Sequence, residues 1–217
     1  MTDRPARVDQ LSVQRESWEA LSSNHYDRIM AIREEAFPPA ERFDEDTVAL
    51  RNSTWLWTAR ADGDQILGFA SALLLATARV AYLEYLAVDS AERGRGIGAA
   101  MLSAMLGDLR AAGSVRGIVV EVEDPVRTPG NDPLLARRIG FYGRWGAKPV
   151  GILNDYSMPD LVSPGDQVPM IILWRGIVDG DELGAPELTR VLTDLYRGYY
   201  ASAAQEGHLE EMIRRIR

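Results

Sequence analysis

Apolar and polar residues follow two rhythms along this chain, one of period two and one of period 3.6. Alternation or short apolar runs mark strands at residues 54–60, 66–75, 80–88 and 117–122, with shorter candidates at 11–13, 149–153 and 170–175. In a strand, successive side chains point to opposite faces of the sheet. The run Ala61-Asp62-Gly63-Asp64 supplies a turn between the first two long strands. Helical period appears at 25–36, where Ile29, Ile32 and Ala36 share a face behind Ser23 or Asn24 as cap, and Pro38-Pro39 ends the segment. A short helix is predicted at 44–50, opened by Asp44. At 98–112, Met101, Leu102, Met105, Leu106 and Leu109 form one broad apolar stripe that Gly113 closes. At 134–145, Leu135, Ile139 and Tyr142 recur at helical spacing, and Gly146 stands where a left-handed residue ends a helix. Segments 188–204 and 208–216 read as terminal helices, and 123–133 and 154–169 as loops.

The strands come first in antiparallel-looking order, followed by strand–helix–strand and then helix–strand–strand. There is no internal repeat and no low-complexity tract. That order predicts an α/β fold built on one mixed sheet. It places a single domain over 1–217, with its core at about 10–176 and a C-terminal helical extension at about 185–217.

Composition narrows the function. Against 24 Lys and Arg stand 32 Asp and Glu, a formal net charge of −8. A non-specific nucleic-acid binder needs the opposite surplus to displace counterions from phosphate, so nucleic acid is not an expected partner. There is no cysteine, which excludes disulfides, thiolate metal ligands and a cysteine nucleophile. His25 and His208 stand far apart, and no metal site is expected. The apolar run 69–76 is interrupted by Ser71 and too short to span a bilayer, and the polar start lacks the apolar stretch of a signal peptide. No membrane partner is expected, and the expected location is the cytoplasm.

The chemistry concentrates in Leu86-Ala87-Val88-Asp89-Ser90-Ala91-Glu92-Arg93-Gly94-Arg95-Gly96-Ile97-Gly98-Ala99. A strand ends, a turn follows, and a glycine-rich segment opens an amphipathic helix. Such a turn gathers backbone N–H groups at the positive end of a helix, where a pyrophosphate can bind. Glycines leave room for phosphate oxygens, and Arg93 and Arg95 add positive charge at the rim. Gly94 to Ala99 also fits the dinucleotide pattern G-x-G-x-x-A, but Asp89 to Glu92 separate it from the strand and no second nucleotide-binding half is visible.

Arg93-x-x-Gly96-x-Gly98 resembles the acetyl-CoA signature of the GNAT (GCN5-related N-acetyltransferase) superfamily. Leu86-Ala87-Val88 resembles that family's fourth strand, and Phe141-Tyr142-Gly143-Arg144-Trp145-Gly146-Ala147 its F-Y-x-x-x-G segment. Where many members carry Asn and Ala on the helix before the tyrosine, this chain carries Leu135 and Arg138, with Asn131 further upstream. The resemblance covers roughly residues 10–175. It implies a GNAT-like acyl-CoA N-acyltransferase fold, whose central, mostly antiparallel sheet is flanked by helices. It also implies acetyl-CoA as co-substrate and direct transfer of its acetyl group to an amine of a small molecule or peptide. Leu86, Ala87, Val88, Arg93, Gly94, Arg95, Gly96, Ile97, Gly98 and Ala99 are then the cofactor-binding candidates. The N–H at or just before Val88 would meet the oxyanion, and Tyr142 takes the family's general-acid position. A non-catalytic acetyl-CoA sensor and a dinucleotide-linked oxidoreductase are the alternatives.

The candidate base is Glu84, a charge inside an apolar strand, where an unpaired carboxylate is costly. Glu121 is a second candidate at the end of the next strand. The resemblance implies that Phe37 and Glu41, between the first two helices, help shape the acceptor site, and Glu123 at the acidic strand end is a further candidate for contact with the acceptor amine. A homodimer could form through the last strand or the terminal helices.

Overall fold

A computed structural model of the protein describes residues 11–43, 54–61, 64–130, 132–163 and 165–216. The predicted helix at 44–50 and Asn131 lie outside the described residues, as do Asp62 and Gly63 of the predicted turn. The strands are β1 (Ser12–Glu16), β2 (Thr54–Arg60), β3 (Ile66–Leu75), β4 (Val80–Val88), β5 (Gly117–Glu123), β6 (Lys148–Pro149), β7 (Ser157–Pro159) and β8 (Gln167–Gly176). The helices are α1 (Ser23–Ala36), α2 (Ile97–Ala112), α3 (Pro133–Arg144), α4 (Ala185–Asp194) and α5 (His208–Arg215).

The sheet runs β1-β2-β3-β4-β5-β8-β6, with β7 pairing β8 off that path. Every pairing is antiparallel except β4 with β5. A doubly wound dinucleotide fold needs a run of parallel strands, so this topology removes the oxidoreductase alternative. The mixed α/β sheet flanked by helices is the one expected.

Helices cover both faces of the sheet, which is why β3 and β4 read as near-continuous apolar runs. On one face Phe69, Tyr82, Tyr85 and Val119 pack with Ile29 and Ile32 of α1 and with Leu188, Val191, Leu192 and Leu209 of the C-terminal segment. On the other, Trp57, Leu83, Ile118 and Val120 pack with Leu102, Met105, Leu106 and Leu109 of α2. Trp57 Nε1 donates to Asp108 at 2.7 Å, which satisfies the indole N–H where α2 crosses β2.

Several boundaries differ from the predicted ones. Ser22 caps α1, its hydroxyl accepting from the His25 N–H at 3.3 Å. The strand predicted at 149–153 shrinks to two residues, because Pro149 has no N–H to pair and the chain turns at Gly151. Part of the predicted loop at 154–169 is a hairpin, with Ser157–Pro159 pairing residues 167–169. The helix predicted at 188–204 is α4 followed by a π-helical turn, Leu195–Tyr199. There the Tyr200 N–H reaches the Leu195 carbonyl at 2.7 Å, five residues back.

Candidate active site

The site begins where β4 and β5 part. Only Ala81–Leu83 of β4 pair with residues 118–120 of β5. From Leu86 to Val88, β4 has no strand partner on that side among the described residues. Glu84 is also the extra residue of a β-bulge, since Ser71 of β3 pairs with Tyr85 and Ala72 with Leu83. A bulge sharpens local twist, and it does so at the point of divergence.

Beyond Val88 the chain makes the glycine turn. The Asp89 carboxylate accepts from the Ala91 N–H at 2.8 Å and pairs with Arg28, which fastens the turn to α1. Arg93 Nε donates to the Val88 carbonyl at 3.2 Å, and Arg95 pairs with Glu92. Gly94 and Gly96 have φ of 81° and 82°, left-handed values that a side chain resists. Among the described residues, nothing beyond the immediate chain neighbours lies within 4 Å of where a Cβ on either would stand. These glycines are therefore demanded by the backbone, and the space above the turn is open. At Gly98 a Cβ would stand 3.2 Å from the Phe141 ring, so this glycine lets α2 approach α3.

A cleft of about 790 Å³ follows from these features. Leu86, Ala87 and Val88 form one wall, and Glu121, Val122 and Glu123 of β5 the other. Arg93 and Gly94 come from the turn. Arg137, Arg138, Phe141, Tyr142 and Arg144 come from α3, and Glu35, Phe37 and Glu41 from the end of α1 and the segment after it. A second cavity of about 550 Å³, between the end of β3 and the C-terminal segment, contains none of the glycine turn.

The electrostatics of the cleft are uneven. Arg138 pairs with Glu123 at 2.9 Å. Burial, reinforced by the neighbouring charge of Glu123, raises the Glu41 pKa to about 7, and its Oε1 is buried without a hydrogen-bond partner. Burial likewise pushes Glu121 above the usual carboxylate range, although three phenol hydroxyls act against it. Tyr82 donates to Glu121 at 2.8 Å and Tyr200 at 2.5 Å, and Tyr156 donates to its other oxygen. Burial raises the Tyr142 phenol above its ordinary value.

The structure thus gathers Phe37, Glu41, Glu121, Glu123, Tyr142, Arg93, Gly94 and Leu86 to Val88 around one cleft. Glu84 stands apart. It is buried at the bulge, absent from the cleft wall, and held by Ser71 Oγ at 3.1 Å and the Tyr199 hydroxyl at 2.9 Å. Arg95, Gly96, Ile97, Gly98 and Ala99 shape the turn and helix start without lining the cleft. Sequence reasoning missed Tyr156, Tyr199 and Tyr200. The only hint was the Tyr196, Tyr199, Tyr200 spacing on a terminal helix.

A strand pair that opens beside a glycine turn, within this sheet order, is the architecture of acyl-CoA N-acyltransferases. A GNAT-family protein from Bacteroides thetaiotaomicron is 25% identical, with a TM-score of 0.65 over 87% of this chain and 98% of that one. The ribosomal-protein-S18-alanine N-acetyltransferase from Escherichia coli is 20% identical, with a TM-score of 0.55 over 79% and 97%. Arabidopsis thaliana NAA60 in complex with acetyl-CoA is 16% identical, with a TM-score of 0.57 over 77% and 99%; at that identity the likeness is one of fold. A comparison with curated proteins gave no match. The family's sequence model spans residues 17–142, and the chain belongs to the acetyltransferase (GNAT) family. Among the described residues, no helix is long and apolar enough to cross a membrane.

Proposed function

We propose that the protein is an acetyl-CoA-dependent N-acetyltransferase that moves the acetyl group directly to a primary amine of a small molecule or peptide. The observation that carries this reading is the parting of β4 and β5 beyond Leu83 and Val120. The two strands thereby diverge between a glycine turn with arginine neighbours and a group of carboxylates. The open space over Gly94 and Gly96 suits a pyrophosphate, with Arg93 and the arginines of α3 as counter-charges. The thioester supplies the electrophilic carbon.

The chain's own groups meet the remaining demands. An alkyl amine has a pKa near 10 and arrives protonated. Glu41, Glu121 and Glu123 give the cleft the charge to receive it. Glu41, titrating at about 7 with a free oxygen, is suited to take the ammonium proton at neutral pH. A backbone N–H near Val88, with no strand partner on that side among the described residues, serves the oxyanion. Tyr142 keeps its proton at neutral pH because burial disfavours the phenolate, so it can protonate the departing thiolate. The C–N bond forms as the C–S bond breaks, and ammonium plus thioester become amide, thiol and one proton released to solvent.

The test is thiol release from acetyl-CoA with a panel of primary amines, followed by mass analysis of the products. An amine-dependent thiol and an acetylated amine are expected, with Tyr142→Phe lowering kcat while leaving acetyl-CoA affinity intact. Acetyl-CoA binding without transfer to any amine would instead leave a sensor.

A further inference from the structure

The divergence of β4 and β5 leaves two carboxylates in equivalent positions. Leu83 and Val120 are the last paired residues, and Glu84 and Glu121 are the next on each strand. Like charges at that point repel unless each is held, and burial makes each more costly. Both are held by adjacent residues of the C-terminal segment. Tyr199 donates to Glu84 at 2.9 Å and Tyr200 to Glu121 at 2.5 Å. On an α-helix, neighbouring residues diverge by about 100°. Here the π-helical turn Leu195–Tyr199 and the turn at Tyr200 let both rings face the sheet. Such turns are enriched at functional sites. The two rings pack edge to face at 4.8 Å, and Tyr199 packs on Tyr82 at 5.0 Å. Tyr82 in turn lies 3.1 Å from the Tyr200 hydroxyl and donates to the same Glu121 oxygen.

On the reading of the chain as an N-acetyltransferase, we infer that Tyr199 and Tyr200 are positioning residues of the active site. They form a two-pronged clip that fixes Glu121 at the cleft wall, facing the incoming ammonium, and Glu84 behind it. The C-terminal extension is thereby part of the catalytic unit. Glu121 reaches the cleft wall and attracts the cationic acceptor. Glu84 lies behind it and acts through the field it adds. The phenol O–H groups lower the Glu121 pKa against the burial that raises it, so losing one lets Glu121 take a proton at higher pH. Tyr196 provides an internal control. It lies on the same turn and is buried, but its hydroxyl donates to the Ser157 carbonyl and to neither carboxylate.

The experiment compares Tyr199→Phe, Tyr200→Phe and Tyr196→Phe with the wild type, each checked by thermal unfolding and acetyl-CoA calorimetry. For the first two, kcat/KM for the amine at pH 7 is expected to fall by about tenfold, the worth of one hydrogen bond to a charged group, with acetyl-CoA affinity unchanged. Tyr200→Phe is also expected to raise the Glu121 pKa, because a hydrogen bond to the carboxylate is lost. A carbon-13 titration of labelled glutamates, which needs no turnover, reads that rise directly. Tyr196→Phe should lower thermal stability and leave both kcat/KM and the Glu121 titration in place. A wild type that acetylates amines, with clip variants that lose only thermal stability, overturns the inference alone. A wild type with no transfer overturns the N-acetyltransferase reading, and the clip's catalytic role falls with it.

Discussion

Replacing Glu41 with Gln removes a carboxyl whose pKa lies near 7 in the folded protein, against 4.5 in the free side chain. Burial is the main cause, followed by the charge of Glu123. The folded state therefore binds this proton more tightly than the unfolded state. The stability linked to it is fully present below about pH 4.5, drains away as pH rises, and is gone above about pH 7. A shift of this size corresponds to roughly 3 kcal/mol at 1.36 kcal/mol per pH unit, and screening at a partly exposed group trims it to about 2 kcal/mol. Glutamine is neutral at every pH and carries no such loss. Thermal unfolding of both proteins at pH 5 and pH 8 checks this. The variant should gain on the wild type by about 4–8 °C at pH 8 relative to pH 5, for a chain of this size. The same substitution should remove the ionisation near pH 7 from the rate profile. An unchanged melting difference between the two pH values would refute the burial argument and, with it, Glu41 as a group poised near neutrality.

Other substitutions test other parts of the site. Arg138→Ala removes the positive charge that lowers the Glu41 pKa, so the acid limb of the pH–rate profile should move upward; an unmoved limb would mean that Glu41 does not set it. Gly96→Val forces a branched side chain to φ 82°; it should cost about 1–2 kcal/mol in unfolding and weaken acetyl-CoA binding by calorimetry. Gly117→Ala places a methyl group inside the Trp174 ring; at a site remote from the cleft it should destabilise by about 1–3 kcal/mol in urea unfolding while sparing acetyl-CoA affinity in what remains folded.

The glycine turn was legible in the sequence because its chemistry is local. Gly94 and Gly96 carry φ values that few other residues adopt, and the adjoining strand and stripe of α2 announce themselves by period. Phe37 and Glu41 follow from the family resemblance, which places the acceptor site after the first helix, and Glu123 from the acidic end of its strand; the cleft includes all three. The β7–β8 hairpin was hidden because Pro159 and Pro169 read as loop residues, although proline is tolerated where it need not donate. The bulge at Glu84 leaves no mark in the alternation of β4. The clip joins residues 115 positions apart in the chain, a distance that no local pattern spans. A π-helical turn and an α-helix also share nearly the same apolar rhythm, so the phase change that turns Tyr199 and Tyr200 inward together appears only in three dimensions.

The most direct measurement is isothermal titration calorimetry of the wild-type protein with acetyl-CoA, with NADH as control. Saturable binding of acetyl-CoA at one site, weakened by Gly96→Val and absent for NADH, is the predicted result. A folded protein that takes up no acetyl-CoA would contradict the assignment of the glycine turn and of the cleft built upon it.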